Sequence, residues 1–75
     1  MAWGAITITF DPTGYHQNYK RRNVDTHVEL NTLIGDAVQD SVTRIRNNGY
    51  AGNIIVDRNN DQQGVPDPGP NYREI

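Results

Sequence analysis

Cysteine is absent from this chain, and tryptophan and phenylalanine occur once each. Without thiols there is neither a disulfide framework nor a thiolate zinc cluster. No stretch approaches the roughly 18 consecutive apolar residues of a membrane-spanning helix. The N-terminus also lacks the basic-then-apolar order of a secretory signal. The expectation is a soluble, cytoplasmic protein with no membrane association. At 75 residues it is too short for several domains or for a cofactor fold of ordinary size. No cofactor motif is present, and none is expected to bind.

Large aliphatic residues are also scarce. Leu, Ile, Val and Phe together make 16 of 75 residues, close to the ~20% level associated with disorder. A net charge of only −2 argues against a disordered chain. A domain of this size buries about 60% of the surface that its unfolded chain exposes. With no disulfide to help, a second subunit is the natural source of further burial. A homo-oligomer is therefore expected.

What apolar content exists is well patterned. Residues 3–10 alternate with period two, with Ile6, Ile8 and Phe10 on one face and Thr7 and Thr9 on the other. This spells a half-buried strand. Asp11-Pro12-Thr13-Gly14 carries the residue preferences of a type I turn. A hairpin closed there sets Phe10 opposite Tyr15, Ile8 opposite Gln17 and Ile6 opposite Tyr19. His16, Asn18 and Lys20 then join Thr9, Thr7 and Ala5 on the other face.

Val28, Leu30, Leu33, Ile34, Ala37, Val38, Val42 and Ile45 recur at helical spacing as a single stripe. Thr26 with Glu29 three residues later marks the start as a capping box. Arg44 and Arg46, followed by Asn47-Asn48-Gly49, mark the end. Gly35 inside this helix suggests a close backbone approach. Asn53-Ile54-Ile55-Val56 then forms a short apolar run suited to a strand buried on both faces. One helix cannot cover both faces, which again points to a partner subunit.

The expected fold is α+β, a small ββαβ unit over residues 1–57 completed by oligomerisation. Residues 58–75 read as a polar, Pro-rich C-terminal arm, with Val65, Tyr72 and Ile75 as its anchors. Pro66, Pro68 and Pro70 argue against a laddered strand in it.

The basic excess is concentrated. Residues 16–22 hold three cations and no acid, and aromatics and amides lie among and beside them. Lys20, Arg21 and Arg22 suit a phosphate, Tyr15, His16 or Tyr19 can stack on a base, and Thr26 opens a helix N-terminus. The leading expectation is a non-enzymatic binding protein that captures a phosphate-bearing ligand, a nucleotide or short oligonucleotide, at this end of the hairpin. The plain alternative is a solvated strand end whose arginines pair with Asp25 or Glu29. A net charge of −2 does not suit a protein that coats long duplexes.

A rival function is a protein–protein module, an inhibitor or accessory subunit that acts through its sheet edge, Trp3 and the arm. Trp3, Ile54, Ile55, Val56 and Tyr72 are the expected interface residues, toward a second subunit or another protein. Two weaker motifs complete the reading. His16, His27 and Lys20 are acid–base groups with nothing to bring them together. Asp57-Arg58-Asn59-Asn60-Asp61 has the opening spacing of a calcium loop but lacks its glycine and its closing glutamate, so no metal site is expected.

Overall fold

The computed structural model describes residues 1–64 and 69–75. The chain is α+β. Strands β1 (Ala2–Asp11) and β2 (Tyr15–Val24) form a hairpin, followed by helix α1 (His27–Asn47) and strand β3 (Asn53–Asn60). A 3-10 turn (Asp61–Gln63) and a short strand β4 (Arg73–Glu74) complete it. The four strands lie in the order β3-β1-β2-β4. β4 runs parallel to β2, and the other pairs are antiparallel.

The hairpin register is the one expected from alternation: Phe10 pairs with Tyr15, Ile8 with Gln17, Ile6 with Tyr19 and Ala5 with Lys20. Its loop is not a plain type I turn, since the Asp11–Pro12 peptide is cis and Gly14 takes φ +78. β2 also runs further than its amide-rich sequence suggests. It continues to Val24, which pairs with Ala2 past a register shift, near Asn23 at φ 61.

Ile6, Ile8 and Leu30 are fully buried, and Ala2, Val24, Ile34 and Ile45 close around them. The helix rests mainly on β1 and β2. Its buried line is Leu30, Ile34, Ser41 and Ile45. Val28, placed in the stripe by spacing, is 80% exposed instead. It sits in the first turn on the side away from that line. Gly35 makes no close approach to anything. Gly4 does: a methyl group there would press on Leu30 at 3.3 Å.

The helix start shows the Thr26 half of the expected capping box, and the helix end closes as its residues suggest. Thr26 accepts the Glu29 amide at 3.1 Å. At the other end the Gly49 amide reaches Arg46 O and the Tyr50 amide reaches Ile45 O, with Gly49 at φ +95. That pair of bonds is a Schellman closure. Tyr50 then packs on Phe10 at 5.1 Å and donates to the carbonyl of Asp11, pinning the helix exit to the hairpin end.

β3 differs most from the reading by composition. It extends to Asn60 because it pairs with β1 along its whole length, from Asp11–Asn53 to Gly4–Asn60. It lies at the sheet margin, so it is not buried on both faces. Ile54 and Val56 are half-buried on the helix side, and Ile55 is 46% exposed on the other. The C-terminal arm contributes a strand as well, because Arg73 and Glu74 pair with Tyr19 and Lys20. Its expected anchor Val65, with Pro66 and Pro68, lies outside the described residues. No helix among the described residues is long and apolar enough to cross a membrane.

Candidate functional site

Strand alternation decides where the expected ligand residues go. Along β2, Tyr15, Tyr19 and Arg21 share the helix side with Gln17, while His16, Lys20 and Arg22 share the outer face. The cluster is thus divided between two faces of the sheet. Tyr15 packs edge-on against Phe10 at 5.3 Å, and Tyr19 donates to Gln17 Oε1 at 3.1 Å. Thr26 caps the helix. His16 is exposed by the hairpin loop, with Nδ1 3.4 Å from Gly14 O.

The three cations meet one common object, the C-terminal segment. Lys20 is only 3% exposed, and its ammonium donates to Gly69 O at 2.7 Å. Arg21 donates to Ile75 O at 2.8 Å. Arg22 forms an ion pair with Glu74. The Ile75 amide returns a bond to Lys20 O at 2.9 Å. Tyr72 lays its hydroxyl 3.3 Å from Thr7 Oγ1, which itself donates to Asn18 Oδ1 at 2.9 Å. The part of the outer sheet face around Lys20 and Thr7 is roofed here by the chain's own arm. A concavity of about 390 Å³ remains beside this roof, lined by Lys20, Arg22, Gly69, Pro70, Tyr72 and Glu74.

A second arrangement joins three distant segments. His27 Nε2 lies 3.0 Å and 3.3 Å from the two carboxylate oxygens of Asp61. The Trp3 amide donates to the same carboxylate at 3.3 Å. Desolvation tends to raise the Asp61 pKa, but the bonds from His27, the Trp3 amide and its own amide outweigh it. The net shift is below the ordinary value of 3.8. This clasp ties the helix start to the end of β3 and the beginning of β1. Thirty-four residues separate its partners, so no local pattern announces it.

The acid–base trio is not assembled. His16 and His27 lie at opposite ends of β2, roughly 25 Å apart by strand rise, and Lys20 is buried between them under the arm. The residues with calcium-loop spacing do not wrap around a centre, because Asp57 to Asn60 are extended in β3. Among the described residues, no group of three or more His, Asp or Glu side chains converges on a metal position.

On the far margin, β3 offers an outer edge of eight residues with nothing paired to it among the described residues. Because the helix lies over β1 and β2, Ile54 and Val56 open sideways toward that edge. A cleft of about 230 Å³ continues beside them, with Asn31, Arg58, Asn60 and Gln63 around Leu30 and Ile34. Of the expected interface set, the structure brings Ile54, Ile55 and Val56 together here. Trp3 is half-buried on the outer face, and Tyr72 belongs to the roof. Sequence reasoning missed Asp61, Gly69 and Glu74 as partners, and Arg58 at the cleft. Compared with known proteins, this chain matches no family model, no curated protein and no solved structure.

Proposed function

We propose that this is a non-enzymatic protein-interaction module that binds by pairing a strand to the free edge of β3. One observation carries the reading. Among the described residues, β4 pairs with β2 only at Tyr19 and Lys20, whereas the β3 edge carries no paired strand along its eight residues and is flanked by Ile54, Ile55 and Val56. Sheet proteins normally blunt such an edge with charged side chains, proline, a bulge or a covering loop, because exposed ladder groups recruit other strands. β3 has charges only at Asp57 and Arg58; its first half, Asn53 to Val56, has no charge and no proline, and its register with β1 is unbroken. An edge left in this state is best explained by a strand that covers it.

The test compares partner retention from extracts of the source cells. Ile55→Lys, at the open edge, should lose a partner that wild type and Arg22→Ala both keep. If all three retain the same proteins, the edge is not the docking surface.

A second reading keeps the phosphate-bearing ligand, a nucleotide or short oligonucleotide. It rests on the concavity beside Lys20, Arg22 and Tyr72, where a phosphate would replace the Glu74 carboxylate at Arg22. Calorimetric titration against a nucleotide panel decides it, with Arg21→Ala/Arg22→Ala as control. No heat, or equal heat from the variant, ends this reading.

A further inference from the structure

We infer that the strand seated on β3 is β3 of a second copy, paired antiparallel about a two-fold axis through Ile55. The inference rests on the docking role of the β3 edge and goes beyond it by naming the occupant and the register. In an isologous pair, each residue faces its mirror position on the partner, so the edge must be self-complementary about its centre. The segment Asn53-Ile54-Ile55-Val56-Asp57 has that property. Polar residues bracket three aliphatic ones, and the pattern reads alike in both directions.

Other centres fare worse. A two-fold through Asp57 sets two carboxylates face to face, and like charges directly opposed are destabilising. A two-fold through Val56 sets Ile54 against Arg58 and Ile55 against Asp57. Centred on Ile55, the two Ile55 side chains meet on the outer face, and Ile54 meets Val56 twice on the helix side. Asn53 then faces Asp57, an amide that can donate to a carboxylate. The two Asp57 residues stand four positions apart along the edge, about 14 Å by strand rise.

The helix completes the surface. Asn31, Val38 and Val42 lie along one flank of α1 by helical period. Asn31 lines the cleft together with β3 residues, so that flank faces β3. Val38 packs at the core margin and Val42 is half-buried. A two-fold perpendicular to the sheet puts both helices on the same side, so Ile54 and Val56 of both copies meet between them, with Val38 and Val42 facing the same gap. Five paired positions within β3, 53 to 57, give about 17 Å of edge. With sheet and helix layers roughly 20 Å deep, the pair buries about 700 Å² in total, the size of a weak, concentration-dependent contact. The exposed Ile55 and the thin core of a single chain find their cover in the same contact.

The absence of cysteine makes the register directly testable. Residues opposed across antiparallel strands have Cα atoms about 4.5–5.5 Å apart, within the range a disulfide spans. Ile55→Cys should link to itself under mild oxidation. Asn53→Cys and Asp57→Cys should link to each other when mixed, and neither should link efficiently alone. Native mass spectrometry of the wild type should give two chains, and Ile55→Lys one chain with unchanged circular dichroism. A wild type that stays at one chain at high micromolar concentration overturns the inference. If Ile55→Lys still loses a retained partner, the docking role of the edge survives that result with a different occupant. A two-chain mass unaffected by Ile55→Lys places the contact elsewhere and removes both. Cross-linking through another cysteine pair alone refutes the register.

Discussion

The attachment of the C-terminal segment allows a sharp comparison between two neighbouring cations. Lys20→Met keeps chain length and apolar stem but removes the ammonium that donates to Gly69 O at 2.7 Å. Because Lys20 is 3% exposed, that carbonyl loses a charged donor in a place where water replaces it poorly. Hydrogen bonds to charged groups contribute about 1.5–3 kcal/mol net. Arg22→Met removes the ion pair with Glu74, whose side chains are 46% and 52% exposed. Such a pair is worth about 0–1 kcal/mol. The reporter is the Ile75 amide, which donates to Lys20 O at 2.9 Å and is released when the segment lifts. Hydrogen exchange at that amide should accelerate roughly 10- to 150-fold in Lys20→Met. In Arg22→Met it should accelerate less than about 6-fold, and high salt should erase the difference from wild type. If Arg22→Met frees the Ile75 amide as much as Lys20→Met does, the roof is held electrostatically from its rim and the argument from burial is wrong.

Three other outcomes follow from local geometry. The lowered pKa of Asp61 means that its stabilising contribution is present above the unfolded-state value near 3.8. It is lost as pH falls through the lower folded value, so urea midpoints measured from pH 5 downward should fall more steeply in wild type than in Asp61→Asn. Thr26→Ala should cost about 1 kcal/mol in urea denaturation, since it orphans the Glu29 amide at the helix start. Gly52→Ala would place a methyl group 2.5 Å from the Tyr50 hydroxyl and 2.6 Å from Asp11 O. It should lower stability by about 1–3 kcal/mol, as overpacked sites do, whereas Gly35→Ala, in open space, should raise it slightly.

Much of this architecture was legible in short stretches. Alternation from Ile6 to Phe10 and a compact turn were enough to set the hairpin register, and Thr26 and Gly49 bracket the helix because caps are local chemistry. The missing parts depend on residues far apart in the chain. Asp57-Arg58-Asn59-Asn60 has poor strand propensity, yet it is a strand because β1 pairs with it. Lys20 resembles a solvent-facing cation until Gly69 and Tyr72 arrive over it. His27 and Asp61 give no sign of each other in sequence. For the candidate sites, the apolar run 54–56 was visible as something needing cover. That the basic strand would be occupied by the chain's own arm was not.

The order β3-β1-β2-β4 places the first strand at the centre and the last two at the margins. Ile6 and Ile8 are therefore enclosed by the hairpin and the helix, while β3 turns Ile55 outward at the margin. On the proposed reading, substitutions at Ile55 and the other outward positions of β3 would retune adhesion, whereas Ile54 and Val56 also pack against the core and are less free to change. The fold then divides one strand between residues that keep it folded and residues free to diverge, and a new specificity would need only a handful of changes along one margin.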